Sequence, residues 1–325
     1  MDSKPLILRL TVGTMVRTPY GDGVIAGYYS YCEIPFYHIK FSYGRASLRT
    51  DQTTDISHKH LCRYQCEKTT IQFTYNDLGR LIEGEYLNDS IIEFYMTKIL
   101  YEAPPHVATQ IYVYSSFFYK QYTDNLQRIT NRKEPAKNKR EKAFQSVSSW
   151  TRGVNIFEKS MVMIPINDHC HWSLAIVCNL NQFLKPSMDE KYKPCFIMLD
   201  SMKCHRTQKI TGNIRLYLQN MWDTQYQHTF GERTFNAELL PSITPPSIPR
   251  QKNYCDCGVF VLQYAELVMK NVPIMIDEEF LKYKGKAEHS IFTSKWFFPQ
   301  EIPQKRQVLR QLLLELRPKS AISLD

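Results

Sequence analysis

The chain has 325 residues, with 41 Lys and Arg against 32 Asp and Glu, which gives a net charge of +9. Hydrophobic residues make up 43% and aromatic residues 13%, enough for a large core, and this composition argues against wholesale disorder. No run approaches the ~18 apolar residues that a membrane-spanning helix needs, so we expect no membrane association. The basic balance is typical of a protein with an acidic partner or of a solvated basic surface.

The cysteines and the first residues predict an intracellular chain with reduced thiols. The sequence opens MDSKPLILRL, with an acid near its start and only a brief apolar run, so we expect no signal peptide. The nine cysteines are an odd number. Without a secretion signal, such a set indicates free thiols in the cytosol or nucleus.

Residues 1–52 are predicted to form a small β unit. Short β-branched or aromatic runs alternate there with turns that contain glycine, and this is the pattern of β-hairpins. The runs cover residues 15–17, 24–29, 36–41 and 46–49. We predict a compact SH3-like barrel of four or five strands, with no assigned role.

Residues 53–70 read as a polar linker. They contain four side chains of the types that bind zinc, namely His58, His60, Cys62 and Cys66. The paired CxxC spacing of common zinc sites is missing, so a linker with incidental thiols is the favoured interpretation and a zinc site the alternative.

From residue 71 onward, predicted helices alternate with buried strands. Asn88 or Asp89 is expected to cap a helix over residues 90–102. Residues 125–144 are rich in Lys and Arg and lack apolar periodicity, which predicts a mobile basic loop. Weak nucleic-acid contact by this loop is an alternative to a plain solvated insertion.

Three apolar runs, at residues 161–166, 172–178 and 195–199, predict interior strands of one sheet. Further helices are predicted at residues 213–226, 257–270 and 304–316. In the last of these helices, the periodicity places Val308 inward and Arg306 outward.

Three polar residues stand where these predicted strands and helices begin or end. His171 precedes one strand, Asp200 ends another, and Cys257 opens a helix. A helix N-terminus and a nearby imidazolium both stabilise a thiolate, so Cys257 is the predicted nucleophile and His171 its acid and base. Asp200 would orient the imidazole. His169 is the less favoured base.

The neighbouring Cys255 is a weaker candidate than Cys257, because it lies before the predicted helix and lacks the helix dipole. Thiols spaced C-x-C make poor disulfide partners, and no second ligand pair accompanies them for zinc. Gln251, reached by a loop upstream, offers an amide donor for the oxyanion, and the backbone N–H of Cys257 would add a second donor.

Four separated motifs resemble those of the ubiquitin-like-protein-specific cysteine proteases, also called the sentrin/SUMO-specific proteases. In chain order they are Leu87-Asn88-Asp89, His171-Trp172, Asp200, and Gln251-Lys252-Asn253-Tyr254-Cys255-Asp256-Cys257-Gly258. The resemblance covers residues 71–318, and several stretches are most similar to the branch that trims poly-SUMO chains. It implies an α+β, papain-like catalytic domain over residues 71–325. That domain has a circularly permuted His-Asp-Cys order and a central mixed sheet flanked by helices.

The resemblance also implies an activity and a binding site. The expected enzyme is an isopeptidase and endopeptidase that cuts after the C-terminal Gly-Gly of SUMO, editing chains or removing SUMO from lysines. Trp172 would roof a narrow tunnel for the diglycine, with Tyr86 in place of a second tryptophan. Asn88 and Asp89 are the further substrate-binding candidates, Asp89 by pairing with a basic residue of the modifier. No metal or other cofactor is implied.

Two alternatives stay open at the level of sequence. The protease could act on another modifier, either the neddylation tag or ubiquitin, because the fold and the triad would be the same. The fold could instead be a scaffold whose basic N-terminal region and loop bind nucleic acid. We expect SUMO and SUMO-conjugated proteins as partners, a monomeric state, and residence in the nucleus or also in the cytoplasm.

Overall fold

The computed structural model describes residues 10–31, 34–67, 69–128, 136–184, 190–229 and 234–317. The chain forms two compact units, one within Met1–Ile91 and Pro303–Asp325 and the other within Ile92–Ile302. In the ranges just given, no helix combines the length and the apolar character needed to cross a bilayer.

Strands and helices alternate along the chain. The strands are β1 (Met15–Thr18), β2 (Gly21–Tyr31), β3 (Ile34–Phe41), β4 (Gly44–Arg49), β5 (Thr54–Asp55), β6 (His60–Cys66), β7 (Thr69–Thr74), β8 (Ile111–Val113), β9 (Met161–Asp168), β10 (His171–Cys178), β11 (Cys195–Leu199) and β12 (Ser242–Ile243). The α-helices are α1 (Tyr75–Gly79), α2 (Asp89–Tyr101), α3 (Pro105–Ala108), α4 (Phe118–Arg128), α5 (Ala136–Gln145), α6 (Thr207–Met221), α7 (Cys257–Met269), α8 (Glu278–Lys282) and α9 (Ile302–Glu315).

The first unit is built on a five-stranded sheet in the order β4-β3-β2-β1-β5. Its neighbouring strands are antiparallel. Burial alternates along β3, where Tyr37, Ile39 and Phe41 are buried and His38 is exposed. The four predicted strand runs lie within β1 to β4. Whether this sheet is an SH3-like barrel stays a prediction.

Part of the predicted linker is regular structure, which corrects the sequence interpretation of residues 53–70. β6 pairs antiparallel with β7, and Leu61, Cys62 and Cys66 are buried. These inward positions require packing that a free linker would not provide. The candidate zinc ligands do not share one environment, because His58 and His60 are exposed while both cysteines are buried. Among the described residues, the groups that could hold a metal ion include none from this segment.

The second unit is built on a mixed sheet in the order β12-β11-β10-β9-β8. β9, β10 and β11 are antiparallel to one another, whereas the edge strands β8 and β12 run parallel to their neighbours. Every residue of β10 and of β11 is buried. Apolar side chains on both faces of these strands therefore explain the continuous hydrophobic runs in the sequence. The predicted central mixed sheet is confirmed.

An aromatic cluster packs between this sheet and helices α4 and α6. The ring centroids of Phe118 and Tyr217 lie 4.8 Å apart, and those of Tyr114 and Phe118 lie 4.0 Å apart. The phenol groups of Tyr114 and Tyr217 hydrogen-bond each other at 3.0 Å, so their polar atoms are satisfied inside the core. The same core cluster includes Val177 of β10 and Phe196 of β11, so both helices pack on the strands beside the candidate site.

The prediction of a mobile loop at residues 125–144 is wrong for most of that range. Helix α4 continues to Arg128 and helix α5 occupies Ala136–Gln145; residues 129–135 lie outside the described ranges. α5 consists mainly of Ala, Lys, Arg and Glu, which have high helix propensity. Of the α5 side chains that the structure describes, Ala143 and Phe144 are the buried ones, so the sequence lacked the periodicity on which the prediction depended.

The last helix is predicted correctly in position but not in every inward residue. Arg306 is only 3% exposed and donates hydrogen bonds to the carbonyl oxygens of Arg80, Ile82 and Glu85. Val308 is instead 50% exposed. A guanidinium carries five N–H donors, so it can satisfy several buried carbonyls that no apolar side chain could.

Candidate active site

A tight turn between β9 and β10 places His171 at the first position of β10. The turn residues His169 and Cys170 have φ values of +51° and +59°, in the left-handed region. His171 is 7% exposed, and its Nε2 atom lies 2.7 Å from Oδ1 of Asp200. The side chain of His169 is 90% exposed and lies 3.7 Å from Asp168, so the alternative base is not part of this buried pair.

Asp200 follows β11 and is held by backbone donors. Its Oδ1 accepts hydrogen bonds from the N–H groups of Met202 and Lys203, and its Oδ2 accepts one from the N–H of His205, each at 2.9 Å. Burial by itself would raise the pKa of this carboxyl, but the hydrogen bonds from His171 and from the backbone lower it to about 2. Asp200 is therefore a fixed negative charge at neutral pH.

Cys257 is the first residue of α7 and is fully buried. It shares a hydrogen bond with His171. Burial would lower the pKa of His171, but the hydrogen bonds to Asp200 and Cys257 outweigh burial and raise it to about 9. The imidazole therefore keeps its proton at neutral pH, between a carboxylate on one side and a sulfur on the other.

Asn253 organises the loop that leads into α7, a role that the sequence interpretation did not assign. Its Oδ1 accepts hydrogen bonds from the N–H groups of Cys255 and Asp256, at 3.2 and 3.1 Å. Its Nδ2 donates to Oδ2 of Asp256 at 2.7 Å. Asn side chains commonly bond the backbone two residues ahead, so an Asn shortly before a helix start was the available sequence signal.

Gln251 is held on both sides of its amide. Its Oε1 accepts a hydrogen bond from the Ser201 hydroxyl at 2.5 Å, and its Nε2 donates to the carbonyl oxygen of Asn253 at 2.7 Å. The amide group has two N–H bonds, and this arrangement uses one of them. Ser201 directly follows Asp200, so the loop after β11 contacts both the carboxylate candidate and the oxyanion candidate.

The predicted substrate-binding residues divide between the two units. Trp172 lies in the second unit, next to His171 on β10, and is 2% exposed. Tyr86, which is 43% exposed, Asn88 and Asp89 lie in the first unit. Asn88 is the helix cap of α2, because its Oδ1 accepts a hydrogen bond from the N–H of Ile91 at 3.3 Å. His171, Asp200, Cys257 and Gln251 all belong to the second unit.

His205 is a site residue that the sequence interpretation missed. Together with His171 and Asp200 it presents ligand-type atoms within 4.8 Å of one another. Both ring nitrogens of His205 are hydrogen-bonded, Nδ1 to the Ser173 hydroxyl at 2.6 Å and Nε2 to the Asp168 carbonyl at 3.1 Å. These bonds account for the cluster without a metal ion. No motif or periodicity marked this histidine in the sequence.

More than half of the chain matches a known protein family. Residues 85–305 match the Ulp1 protease family, C-terminal catalytic domain. Human Sentrin-specific protease 7 is 29% identical to this chain over 295 residues, which cover 75% of this chain and 26% of that protein. Ubiquitin-like-specific protease 1C of Arabidopsis thaliana is 27% identical over 254 residues, which cover 76% of this chain and 41% of that protein. The chain thus spans about a quarter of the length of the first relative and about two fifths of the second.

A solved structure described as the crystal structure of the de-sumoylating protease is similar in fold. It aligns with a TM-score of 0.61 and 22% identity, over 82% of this chain and 94% of that chain. This similarity confirms the predicted α+β fold. The family match extends over more than half of the sequence. The chain belongs to the Ulp1 protease family.

Proposed function

We propose that this chain is a SUMO-specific cysteine isopeptidase and endopeptidase that cleaves after the C-terminal Gly-Gly of SUMO. The observation that carries the proposal is the buried arrangement of His171 between Asp200 and Cys257, with the sulfur at the start of a helix. A thiol beside a protonated imidazole and a helix N-terminus has the two environments that favour the reactive thiolate.

Cys257 is the proposed nucleophile. Its sulfur attacks the carbonyl carbon of the terminal glycine and forms a tetrahedral intermediate, while His171 holds the proton that the leaving lysine amine needs. Collapse of the intermediate expels the amine and leaves a thioester between SUMO and Cys257. A water molecule then attacks the thioester while His171 takes the water proton, and SUMO leaves with a free carboxylate.

The charge state of His171 suits the first of these steps. Because its pKa is raised to about 9, the imidazole is protonated at neutral pH and is ready to act as the acid. The Asp200 carboxylate, with its pKa lowered to about 2, keeps the ring oriented and stabilises its positive charge. Asp200 does not need to accept the proton at any step.

Gln251 and the start of α7 are the proposed donors to the oxyanion. The Ser201 and Asn253 contacts hold the Gln251 amide, and one N–H of that amide is not used by them. The first N–H groups of any helix lack partners within the helix, and this includes the N–H of Cys257. Two preorganised donors stabilise developing negative charge without reorganisation.

The proposed specificity for a diglycine depends on Trp172. This buried indole is adjacent in sequence to His171. If it roofs a narrow channel to Cys257, only residues without a Cβ can pass beneath it, and a C-terminal Gly-Gly meets that requirement. Tyr86, Asn88 and Asp89 are proposed to contribute to binding of the modifier.

SUMO as the substrate is supported by the names of similar proteins. The relative with 29% identity is a sentrin-specific protease, and the similar solved structure is described as a de-sumoylating protease. We extend the proposal to the editing of poly-SUMO chains as well as removal of SUMO from lysines, with SUMO-conjugated proteins in the nucleus as the targets. We also propose that the chain acts as a monomer.

The test is a panel of probes in which SUMO, the neddylation modifier or ubiquitin carries an electrophile in place of its terminal glycine carboxylate. The full chain should form a covalent adduct with the SUMO probe, and mass spectrometry should locate the adduct on Cys257. Cys257→Ala should form none, whereas the matched control Cys255→Ser should label as the natural chain does. Labelling only by another modifier would replace SUMO as the substrate, and SUMO labelling at a different residue would reject the proposed nucleophile.

A further inference from the structure

His205 contacts the candidate site, although no step of the proposed reaction uses it. Its backbone N–H donates to Oδ2 of Asp200 at 2.9 Å. Its ring bonds Ser173 and the Asp168 carbonyl. It also packs edge-on against His171, with the ring centroids 4.7 Å apart and an interplanar angle of 67°. One residue thus touches both members of the buried pair.

The hydrogen bonds define which nitrogen of His205 carries hydrogen. A backbone carbonyl only accepts hydrogen bonds, so Nε2 must donate to Asp168. In the neutral ring Nδ1 is then an acceptor, and the Ser173 hydroxyl can donate to it. Burial lowers the pKa of His205, and the charge on His171 lowers it further against the opposing effect of the Asp168 bond. A neutral ring satisfies every contact and avoids a second positive charge beside His171.

The residues that the His205 ring contacts lie on other strands than the one that His205 follows in the chain. Asp168 is the last residue of β9, and Ser173 lies near the start of β10. His205 itself lies in the loop between β11 and α6. The ring therefore fastens that loop to the hairpin that carries His171, and this is the loop that wraps the Asp200 carboxylate with three backbone N–H groups.

We propose that His205 is a positioning residue, whose neutral ring ties the loop after β11 to the β9–β10 hairpin so that its backbone N–H holds the Asp200 carboxylate against His171. This inference rests on the proposed function, since it gives His205 a role in orienting the proposed acid and base. The proposed role requires no contact of His205 with substrate or with the reacting sulfur. Its effect should therefore be on kcat, with little effect on KM.

The first experiment compares His205→Ala and His205→Gln with the natural chain, using SUMO that carries a fluorogenic group at its C-terminus. His205→Ala should lower kcat by ~10-fold, the scale of losing a hydrogen-bonded anchor. KM should stay within about twofold, because only interactions outside substrate binding are lost. Gln is neutral at every pH and keeps one N–H donor and one acceptor, so it should recover kcat to within about threefold of the natural chain.

Ser173→Ala gives a second, independent measure of the same contact. This substitution removes the hydroxyl that bonds Nδ1 and should lower kcat in the same direction as His205→Ala. Combined with His205→Ala it should cause no further loss, because both substitutions break one connection. His169→Asn is the matched control, since it removes an exposed histidine from the same hairpin and Asn tolerates the positive φ at this position; it should leave kcat unchanged.

Alkylation of Cys257 by iodoacetamide at pH 7, followed on its peptide by mass spectrometry, separates failure of this inference from failure of the proposed function. If His171→Ala leaves the alkylation rate unchanged, the proposed action of His171 on Cys257 is wrong. If His171→Ala slows alkylation but His205→Ala keeps the natural kcat, only the role of His205 is rejected. A His205→Gln variant as slow as His205→Ala, or additive losses with Ser173→Ala, would also reject it. Thermal melting of each variant checks that it folds.

Discussion

The sheets of the two units differ in which faces they bury, and this difference relates to where the chemistry lies. In the first unit, β3 alternates between buried residues such as Ile39 and exposed residues such as His38. In the second unit, every position of β10 and β11 is buried. A sheet covered on both faces offers no solvent-facing position inside its strands, so reactive polar groups can lie only where the strands end.

His171 and Asp200 occupy such ends, and each has its polar atoms satisfied. Asp200 receives three backbone N–H groups and the imidazole of His171, so a buried charge is fully hydrogen-bonded. The first unit instead exposes aromatic side chains, including Tyr28 on β2 at 55% and Tyr43 in the turn between β3 and β4 at 71% exposure. Rigid strands that end in satisfied polar groups are the setting that a catalytic site requires.

The largest effect that would test this comparison is loss of the sulfur at the start of α7. Cys257→Ala should reduce SUMO cleavage by ~10⁴-fold or more, because no other group in the proposed mechanism attacks the carbonyl. Single-turnover cleavage of a di-SUMO substrate measures it. Cys255→Ser, two positions upstream and outside the helix, should keep the natural rate; equal losses in both variants would mean that the helix start is not what distinguishes the two thiols.

The next effect concerns the oxyanion donor. Gln251→Ala should lower kcat by ~10²–10³-fold, the usual scale for removing one preorganised donor. Steady-state cleavage of SUMO with a fluorogenic C-terminus measures kcat and KM separately. Ser201→Ala removes the hydroxyl that holds the Gln251 carbonyl and should cause a smaller loss in the same direction. A natural kcat in Gln251→Ala would show that other donors carry this role.

Stability measurements test the difference between the sheets directly. The side chains of Ile197 and Met198 on β11 point to opposite faces of the sheet, and both faces are buried. Ile197→Ala and Met198→Ala should therefore each lower the free energy of unfolding by ~2–5 kcal/mol. On β3, Ile39→Ala should cost a similar amount, but the exposed His38, which stacks on Tyr29 and hydrogen-bonds Ser47, should cost no more than ~1 kcal/mol in His38→Ala. Guanidinium denaturation gives these values. A small cost at either β11 position would contradict burial on both sides.

The smallest expected effect is the pH dependence of stability. The pKa of His171 is raised in the folded state to about 9 from 6.5, so its contribution is fully present below pH 6.5 and is lost as pH rises towards 9. The pKa of Asp200 is lowered to about 2 from 3.8, so its contribution is present above pH 3.8 and is lost as pH falls towards 2.

After allowance for solvent screening, the loss on the alkaline side should be on the order of 1 kcal/mol. Guanidinium denaturation between pH 6 and 9 measures it in the natural chain and in His171→Ala, which should show a flatter dependence over this range. Equal slopes in the two proteins would mean that His171 does not change its pKa on folding.

Some elements were predictable from sequence because local periodicity determined them. The apolar runs of β9, β10 and β11 had no polar alternation, and this is the pattern of strands buried on both faces. Helix α7 was recognisable from a long apolar segment that begins directly after Asp256. Helix α5 was missed because its residues favour a helix through propensity, whereas the prediction relied on an apolar stripe that a short contact at Ala143 and Phe144 does not produce.

Other features depend on contacts between residues far apart in sequence. Arg306 looked like a surface residue and is buried, because three carbonyl oxygens from residues 80–85 accept its N–H groups. His205 carries no motif, and its contacts with Asp168, Ser173 and Asp200 exist only once the hairpin and the loop after β11 meet. Residues 60–66 read as linker, but pairing with β7 makes them a strand.

The order of His171, Asp200 and Cys257 along the chain, and the strand and helix ends on which they lie, were determined by the sequence itself through local hydrophobic patterning. The tertiary structure decided the charge state of His171, the anchoring of Gln251 and the contacts of His205. Electrostatic and hydrogen-bond energies depend on distances of a few ångströms and on burial, and only the folded chain sets those quantities.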